Sequence, residues 1–218
     1  WPAQLLFPAL DVLRLLLLLP SSAAHVGALQ PPLAERLLAL LVGADKAVSL
    51  MVLRSFANML HNPALRALAL ARASAILDTL AAPMTDGNTN VRLAACTVVL
   101  NVSCALKQAG AGDAAVDADA LQMQLLSLCT HALSSVRAVA PPRMPRSTRS
   151  ARRAAPAPSP RAQVAALAQP AEEEALHRLL RGLEQVTALG PSALELARDL
   201  DVPSALAALP LADTATAR

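Results

Sequence analysis

The segment LRSFANMLHN, from Leu53 to Asn62, places three polar side chains along one edge of an otherwise apolar helix. At 3.6 residues per turn, Arg54, Asn58 and His61 fall within a sector of roughly 60°. Apolar side chains fill most of the remaining circumference. A helix of this kind must be enclosed by other elements on most sides, so only its narrow polar line can reach water or a ligand.

The composition favours a fold made of helices. The 218 residues are 55% hydrophobic but only 1% aromatic, with 7 glycines and no tyrosine. Alanine and leucine are good helix formers, whereas β-rich domains depend on β-branched and aromatic residues. Helical patterns are predicted over about residues 7–19, 32–42, 45–61, 63–81, 90–109, 118–136, 172–189 and 191–200, with a short last helix from about 203.

Helix pairs recur at intervals of roughly 40 residues, which is typical of HEAT and armadillo repeats. FANML, starting at Phe56, is echoed by VLNVS, starting at Val99, and each places an asparagine after two apolar or small residues. The pair Asn62–Pro63 supplies an N-cap and a first helical proline. The sequence therefore predicts an all-α fold, an armadillo- or HEAT-like right-handed α-solenoid of helix pairs.

The polar line of the opening segment recurs on two later helices. Alternate helices of a solenoid line one surface, so the three stripes are expected to face a shared groove. The alternatives for these side chains are a solvated helix edge or a hydrogen bond between repeats. The later stripes are Asn90, Ala94, Thr97, Asn101 and Gln108 on the fifth helix, and Glu174, Arg178, Gly182 and Gln185 on the seventh.

An arginine- and proline-rich tract interrupts the helical pattern. Seven arginines and no acid lie between Arg137 and Arg161, which leaves 12 basic against 16 acidic residues elsewhere. The predicted organisation is helical repeats over 1–136, a disordered insertion over 137–171, further repeats of the same domain over 172–209, and a tail over 210–218. Basic clusters also serve as nuclear signals or bind nucleic acid, but the tract lacks the aromatic residues that stack on bases.

Cysteine and histidine usage indicates neither an active site nor a metal site. Cys96, Cys104 and Cys129 show no C-x-x-C spacing, and no nucleophile signature associates them with His131 or His177. Reduced core cysteines in a cytoplasmic or nuclear protein are the expected reading. GxSxG, Walker and GxGxxG motifs are absent as well. We therefore expect a chain that is not an enzyme and that needs no cofactor or metal.

The longest apolar run does not predict a membrane anchor. LLLLL, from Leu15 to Leu19, is closed by Pro20. A membrane span needs about 20 apolar residues, so the run is expected to be part of a buried helix.

Four segments together resemble the PUL domain, the armadillo-like C-terminal module of the phospholipase-activating protein family of ubiquitin-system adaptors. They are FPALDVLRLLLLLP, LRSFANML, NTNVRLAACTVVLNVS and HRLLRGLEQV, which start at Phe7, Leu53, Asn88 and His177. They follow the order of the family, and the similarity extends from about residue 1 to residue 207, apart from the tract. One departure is Glu184, where the family pattern has glycine.

The resemblance implies a non-catalytic protein that binds another protein. PUL domains bind the acidic C-terminal tail of the hexameric AAA ATPase valosin-containing protein, through a basic concave groove. By motif position, Arg54 and Arg178 would be the groove cations, with Arg14 as a third. Asn58 and Asn101 look like the asparagines with which armadillo repeats bind an extended peptide backbone. Contact with the ubiquitin pathway would pass through flanking domains, and no membrane partner is implied.

The physical chemistry of these side chains agrees with that expectation. An asparagine side chain can satisfy both an N–H and a C=O group of an extended peptide. Arginine pairs bidentately with carboxylates and is always charged. Two alternatives remain open: a helical scaffold whose arginine-rich insertion binds nucleic acid or another acidic partner, and a regulatory module fused to a peptidase or thioredoxin-like domain.

Overall fold

In a computed structural model of the chain, residues 3–109, 117–139 and 160–207 are described, and these parts are all-helical. The helices are α1 (Ala3–Leu16), α2 (Ser22–Gly27), α3 (Leu33–Leu41), α4 (Lys46–His61), α5 (Pro63–Leu70), α6 (Ala73–Asp78), α7 (Ala81–Thr85), α8 (Thr89–Ala109), α9 (Ala118–Val139), α10 (Pro160–Thr187), α11 (Pro191–Asp199) and α12 (Val202–Ala207). The prediction of an all-α fold is confirmed for this part of the chain.

The cap of α5 acts as the sequence predicts, and α4 begins with a cap of the same kind. The Asp45 side chain accepts a hydrogen bond from the Val48 amide at 2.8 Å and so begins α4. Asn62 caps α5, with Pro63 in the first turn. Both side chains satisfy amides that have no partner inside the helix, which is why these two boundaries could be read from the sequence.

Two helix predictions were wrong in their extent. The predicted helix over 63–81 is divided into α5 and α6, and α7 occupies part of the interval between the predicted helices over 63–81 and 90–109. The seventh predicted helix begins at Pro160 rather than at 172, so the last part of the proposed insertion, residues 160–171, is helical. Residues 140–159 of the insertion and the tail over 210–218 lie outside the described residues.

Four helices form a row in the order α1, α4, α8 and α10, each packed against the next. Arg14 and Leu17 at the end of α1 accept hydrogen bonds from Asn58 and Asn62 at the end of α4. From the first contact to the second, the position moves toward the C-terminus on both helices, so α1 and α4 run in the same direction.

The relative direction of α8 and α10, at the other end of the row, follows from two contacts of the same kind. Arg92 near the start of α8 pairs with Glu172 at 2.7 Å, and Lys107 near its end contacts Gln185 at 3.2 Å. Since both contacts advance in the same sense, α8 and α10 also run in the same direction. Among the other described helices, α3, α5, α7, α9 and α11 contact members of the row, and α9 also packs against α6, α7, α11 and α12.

Helix α8 is enclosed by neighbouring helices, and its composition reflects that position. By length and composition, Thr89–Ala109 could cross a membrane, but 56% of its most apolar 18-residue window is buried inside the structure. It packs against α4, α7 and α10. Its apolar circumference is therefore accounted for by helix packing.

The leucine run at the end of α1 contradicts the prediction of a buried helix. Helix α1 ends at Leu16, and Leu17 is fully buried while the four other leucines of the run are 44–50% exposed. The physical reason is the position of α1 at the end of the row, where α4 covers one face only.

Candidate functional site

The predicted groove residues lie on consecutive members of the row. We call them, together with Thr97, the ladder residues. All six are half-buried, between a core on one side and solvent on the other. In chain order they are Arg14 on α1, Arg54 and Asn58 on α4, Thr97 and Asn101 on α8, and Arg178 on α10.

The two asparagines connect neighbouring helices. Asn58 donates from Nδ2 to the backbone oxygen of Arg14 at 2.6 Å, and Asn101 donates from Nδ2 to that of Ala57 at 2.8 Å. Both bonds join residues 44 positions apart. The sequence echo between the two segments therefore marks equivalent positions in the fold. The two bonds also correspond to the alternative considered for these asparagines in the sequence, a hydrogen bond between repeats.

The two outer arginines of the ladder are already paired. Arg14 donates from Nε to Asp11 at 2.6 Å. Arg178 donates from Nε to Glu174 at 2.8 Å and from Nη1 to the hydroxyl of Thr97 at 2.5 Å. Arg178 thus joins α10 to α8, and the acidic side chains neutralise both cations locally.

Arg54 differs from the outer arginines. It lies one turn before Asn58 on α4, and within the described part of the chain it has no ion pair and no side-chain hydrogen bond. The residues that flank Arg54 in the sequence, Leu53 and Ser55, are fully buried. Among the described residues, Arg54 is thus an unpaired positive charge in the middle of the row.

Solvent reaches the free polar atoms of the ladder. Within the described residues, Oε1 of Gln124 is the buried side-chain polar atom left without a hydrogen-bond partner. The guanidinium of Arg54 and the Oδ1 atoms of Asn58 and Asn101 also have no hydrogen-bond partner among the described residues, and all three residues are partly exposed to solvent. The face can consequently offer a cation and two amide acceptors to a ligand.

Some stripe predictions were wrong. Ala94 is only 6% exposed, and Gly182 is buried. A Cβ atom on Gly182 would lie 3.3 Å from Cγ1 of Val99 and 3.5 Å from the Leu100 backbone, so this glycine is a packing position between α10 and α8. His61 is the last residue of α4 and is exposed.

The sequence analysis did not predict that Asn62 also bonds the end of α1. Besides capping α5, this 3% exposed side chain donates to the backbone oxygens of Leu17 at 2.8 Å and Leu19 at 3.2 Å. Asn62 lies one turn after Asn58, and its bond to Leu17 spans 45 residues. The spacing of about 44 residues is the signal that could have indicated it.

The cysteines are free, and burial makes them poor nucleophiles. Burial raises the pKa of Cys96 to about 11 and that of Cys129 to about 12, because a thiolate loses its hydration there. Burial also raises the pKa of Cys104. His131 and His177 are exposed. Among the described residues, no group of three or more His, Cys, Asp or Glu side chains could hold a metal ion.

Comparison with known proteins identifies the family of the chain. A family model described as PUL domain matches residues 1–212, which is nearly the whole chain. No curated protein and no solved structure matches the chain. The family match confirms the resemblance carried by the four sequence segments, each of which contains at least one ladder residue. The chain therefore belongs to the PUL domain family.

Proposed function

We propose that the ladder residues bind the acidic C-terminal tail of the AAA ATPase valosin-containing protein. Membership of the PUL family makes the chain a protein-interaction module. The observation that carries the finer proposal is Arg54, a half-buried cation with no intramolecular partner among the described residues, beside accessible amide oxygens. A carboxylate of an extended ligand would pair with Arg54, while backbone N–H groups would donate to Asn58 and Asn101.

The proposed ligand must engage several residues together. An exposed ion pair contributes about 0.2–1 kcal/mol, whereas micromolar binding needs about 8 kcal/mol. One arginine therefore cannot hold a tail alone, and the spread of the ladder over four helices suits a ligand in extended conformation. Since exposed charges are screened by salt, the affinity is expected to fall as ionic strength rises.

The proposal includes the wider role and architecture of the module. The row of helices is taken as part of an armadillo-like right-handed α-solenoid, and the ladder as its concave side. The protein acts without catalysis or cofactor in ubiquitin-dependent turnover, in the cytoplasm and nucleus, with ubiquitin contact supplied by flanking domains. The raised pKa values of Cys96 and Cys129 argue against a cysteine nucleophile.

The test is calorimetric titration of the protein with a peptide of the acidic tail. Arg54→Asp should abolish detectable binding, because it replaces the free cation by a repelling charge. Arg72→Asp is the matched control, since Arg72 is exposed and pairs with Glu35 away from the ladder. Circular dichroism checks that both variants remain helical. Equal affinity of wild type and Arg54→Asp would remove the ladder from the mechanism.

A second candidate function rests on the arginine-rich tract. Seven arginines without an acid between Arg137 and Arg161 could bind nucleic acid or another acidic partner. Deleting residues 141–159 would leave α10 intact, since this helix begins at Pro160. Retained binding of the tail peptide supports the ladder, whereas loss of all acidic ligands supports the tract.

A further inference from the structure

We propose that Asp11 and Glu174 are built-in competitors that set the affinity of the ladder for an acidic ligand. This inference rests on the proposed function and deepens it. It assigns a role in specificity to two acidic residues for which the sequence analysis predicted no role in binding. Removing either carboxylate is expected to strengthen binding.

The geometry at the two ends of the ladder is alike. Asp11 lies three residues before Arg14 on α1, and Glu174 lies four residues before Arg178 on α10. Each carboxylate accepts the Nε–H of its arginine, at 2.6 and 2.8 Å. Each pair therefore places a negative charge where a carboxylate of the ligand would otherwise bind.

The centre of the ladder lacks such a competitor. Arg54 has no acidic partner within the described residues, and the position one turn before it is Leu50. Counting only contacts between described residues, the face has an unpaired cation, Arg54, flanked by the two paired cations Arg14 and Arg178. This distribution favours a ligand whose strongest negative charge lies near its middle, because carboxylates at its ends would have to displace Asp11 or Glu174.

Both competing pairs are open to exchange with a ligand. The carboxylate side chains of Asp11 and Glu174 are 40% and 47% exposed, and the arginine side chains are 24% and 33% exposed. Pairs at this exposure are weak and screened, so a ligand can replace them at a modest loss of affinity. Neutralising one carboxylate should therefore raise the affinity about two- to five-fold, and neutralising both about ten-fold.

The test uses fluorescence anisotropy of a labelled acidic tail peptide with the full chain. The variants are Asp11→Asn, Glu174→Gln and the double variant. Glu184→Gln is the matched control, because Glu184 pairs with Arg181 on the same α10 at 2.8 Å but lines the apolar groove between α10, α11 and α12. All four variants lose negative charge, but only the first three free a ladder arginine.

The expected result is tighter binding by the ladder variants and no change with Glu184→Gln. Equal gains for Glu174→Gln and Glu184→Gln would overturn the inference, because they would show an effect of net charge. Unchanged affinity of the double variant would also overturn it while leaving the proposed function standing. Failure of wild type and every variant to bind the peptide would instead contradict the proposed function itself.

Discussion

The joints of the helix row are of two kinds. Between α1 and α4, and between α4 and α8, an asparagine amide reaches a backbone oxygen of the preceding helix. Between α8 and α10 no asparagine takes this role among the described residues. There, Gly182 brings the backbone of α10 close to Leu100, and Arg178 bonds the hydroxyl of Thr97.

The difference shows how one layer can be held together by two kinds of contact. An asparagine side chain fills the space between two helices and satisfies a polar group across it, so the helices stay a side chain apart. A glycine removes the side chain and lets the backbones approach, so the joint relies on close packing. The asparagine joints should therefore tolerate small changes, while the glycine joint should not tolerate added volume.

The largest effect is expected at the glycine joint. Gly182→Leu would force a branched side chain against Val99 and the Leu100 backbone. We expect a loss of about 3 kcal/mol in the free energy of unfolding, since overpacked sites cannot relax without moving a helix. Urea denaturation followed by circular dichroism measures this loss.

Gly182→Ala is the control for that joint. Its added Cβ would meet Cγ1 of Val99 at 3.3 Å, and the gain in helix propensity of about 1 kcal/mol offsets the crowding. The unfolding free energy should therefore change by less than about 1 kcal/mol. A loss as large as that of Gly182→Leu would show that the backbone conformation, rather than space, requires glycine.

The next largest effect is expected at Asn62, beside the first asparagine joint. Asn62→Ala removes the cap of α5 and leaves the backbone oxygens of Leu17 and Leu19 without this donor. We expect a loss of about 2–3 kcal/mol in unfolding free energy. Asn62→Ser keeps a capping oxygen but is too short to reach α1, so it should fall between wild type and alanine. Equal losses for both variants would assign the whole effect to the lost donor.

A smaller and matched pair of effects is expected for the two joining asparagines. Asn58→Ala and Asn101→Ala each remove one hydrogen bond at a half-buried position, so each should lower the unfolding free energy by about 1 kcal/mol. Thermal unfolding of the two variants under the same conditions compares them directly. Losses that differ by several-fold would contradict the structural equivalence of the two joints.

The smallest effect concerns pH. Hydrogen bonds from the Asn88 amide and from Lys46 hold the pKa of Asp86 below its ordinary value, with a further contribution from Arg92. A lowered pKa in the folded state stabilises the fold above the unfolded pKa, and the stabilisation is lost as pH falls through the folded value. Stability should therefore decline below about pH 4, and Asp86→Asn should reduce that decline. Denaturation at pH 6, 4 and 3 measures the difference, and equal slopes for both proteins would assign the decline to other carboxylates.

Much of the fold could be predicted because it follows from local chemistry. The N-caps Asp45 and Asn62 fix the starts of α4 and α5. The apolar circumference of α8 requires neighbouring helices on most of its sides. The buried position of Gly182 and the exposure of Leu18 and Leu19 could not be predicted, because both depend on which helix lies opposite.

At the candidate site, too, some features could be predicted from the sequence and others could not. Helical spacing alone placed Arg54 and Asn58 on one line, and the sequence echo placed Asn101 at the equivalent position. Helical periodicity predicts on which face of a helix a side chain lies, but not which residue it contacts. The sequence therefore could not tell that the asparagine amides bond neighbouring helices, or that Arg178 is paired while Arg54 has no partner within the described part of the chain.

By itself, the sequence determined the helical character of the part of the chain that the structure describes, with one polar line on each of several enclosed helices, because periodicity and capping act within a few residues. The tertiary structure alone decided how those lines are used, because hydrogen bonds that span 44 and 81 residues depend on which helices become neighbours.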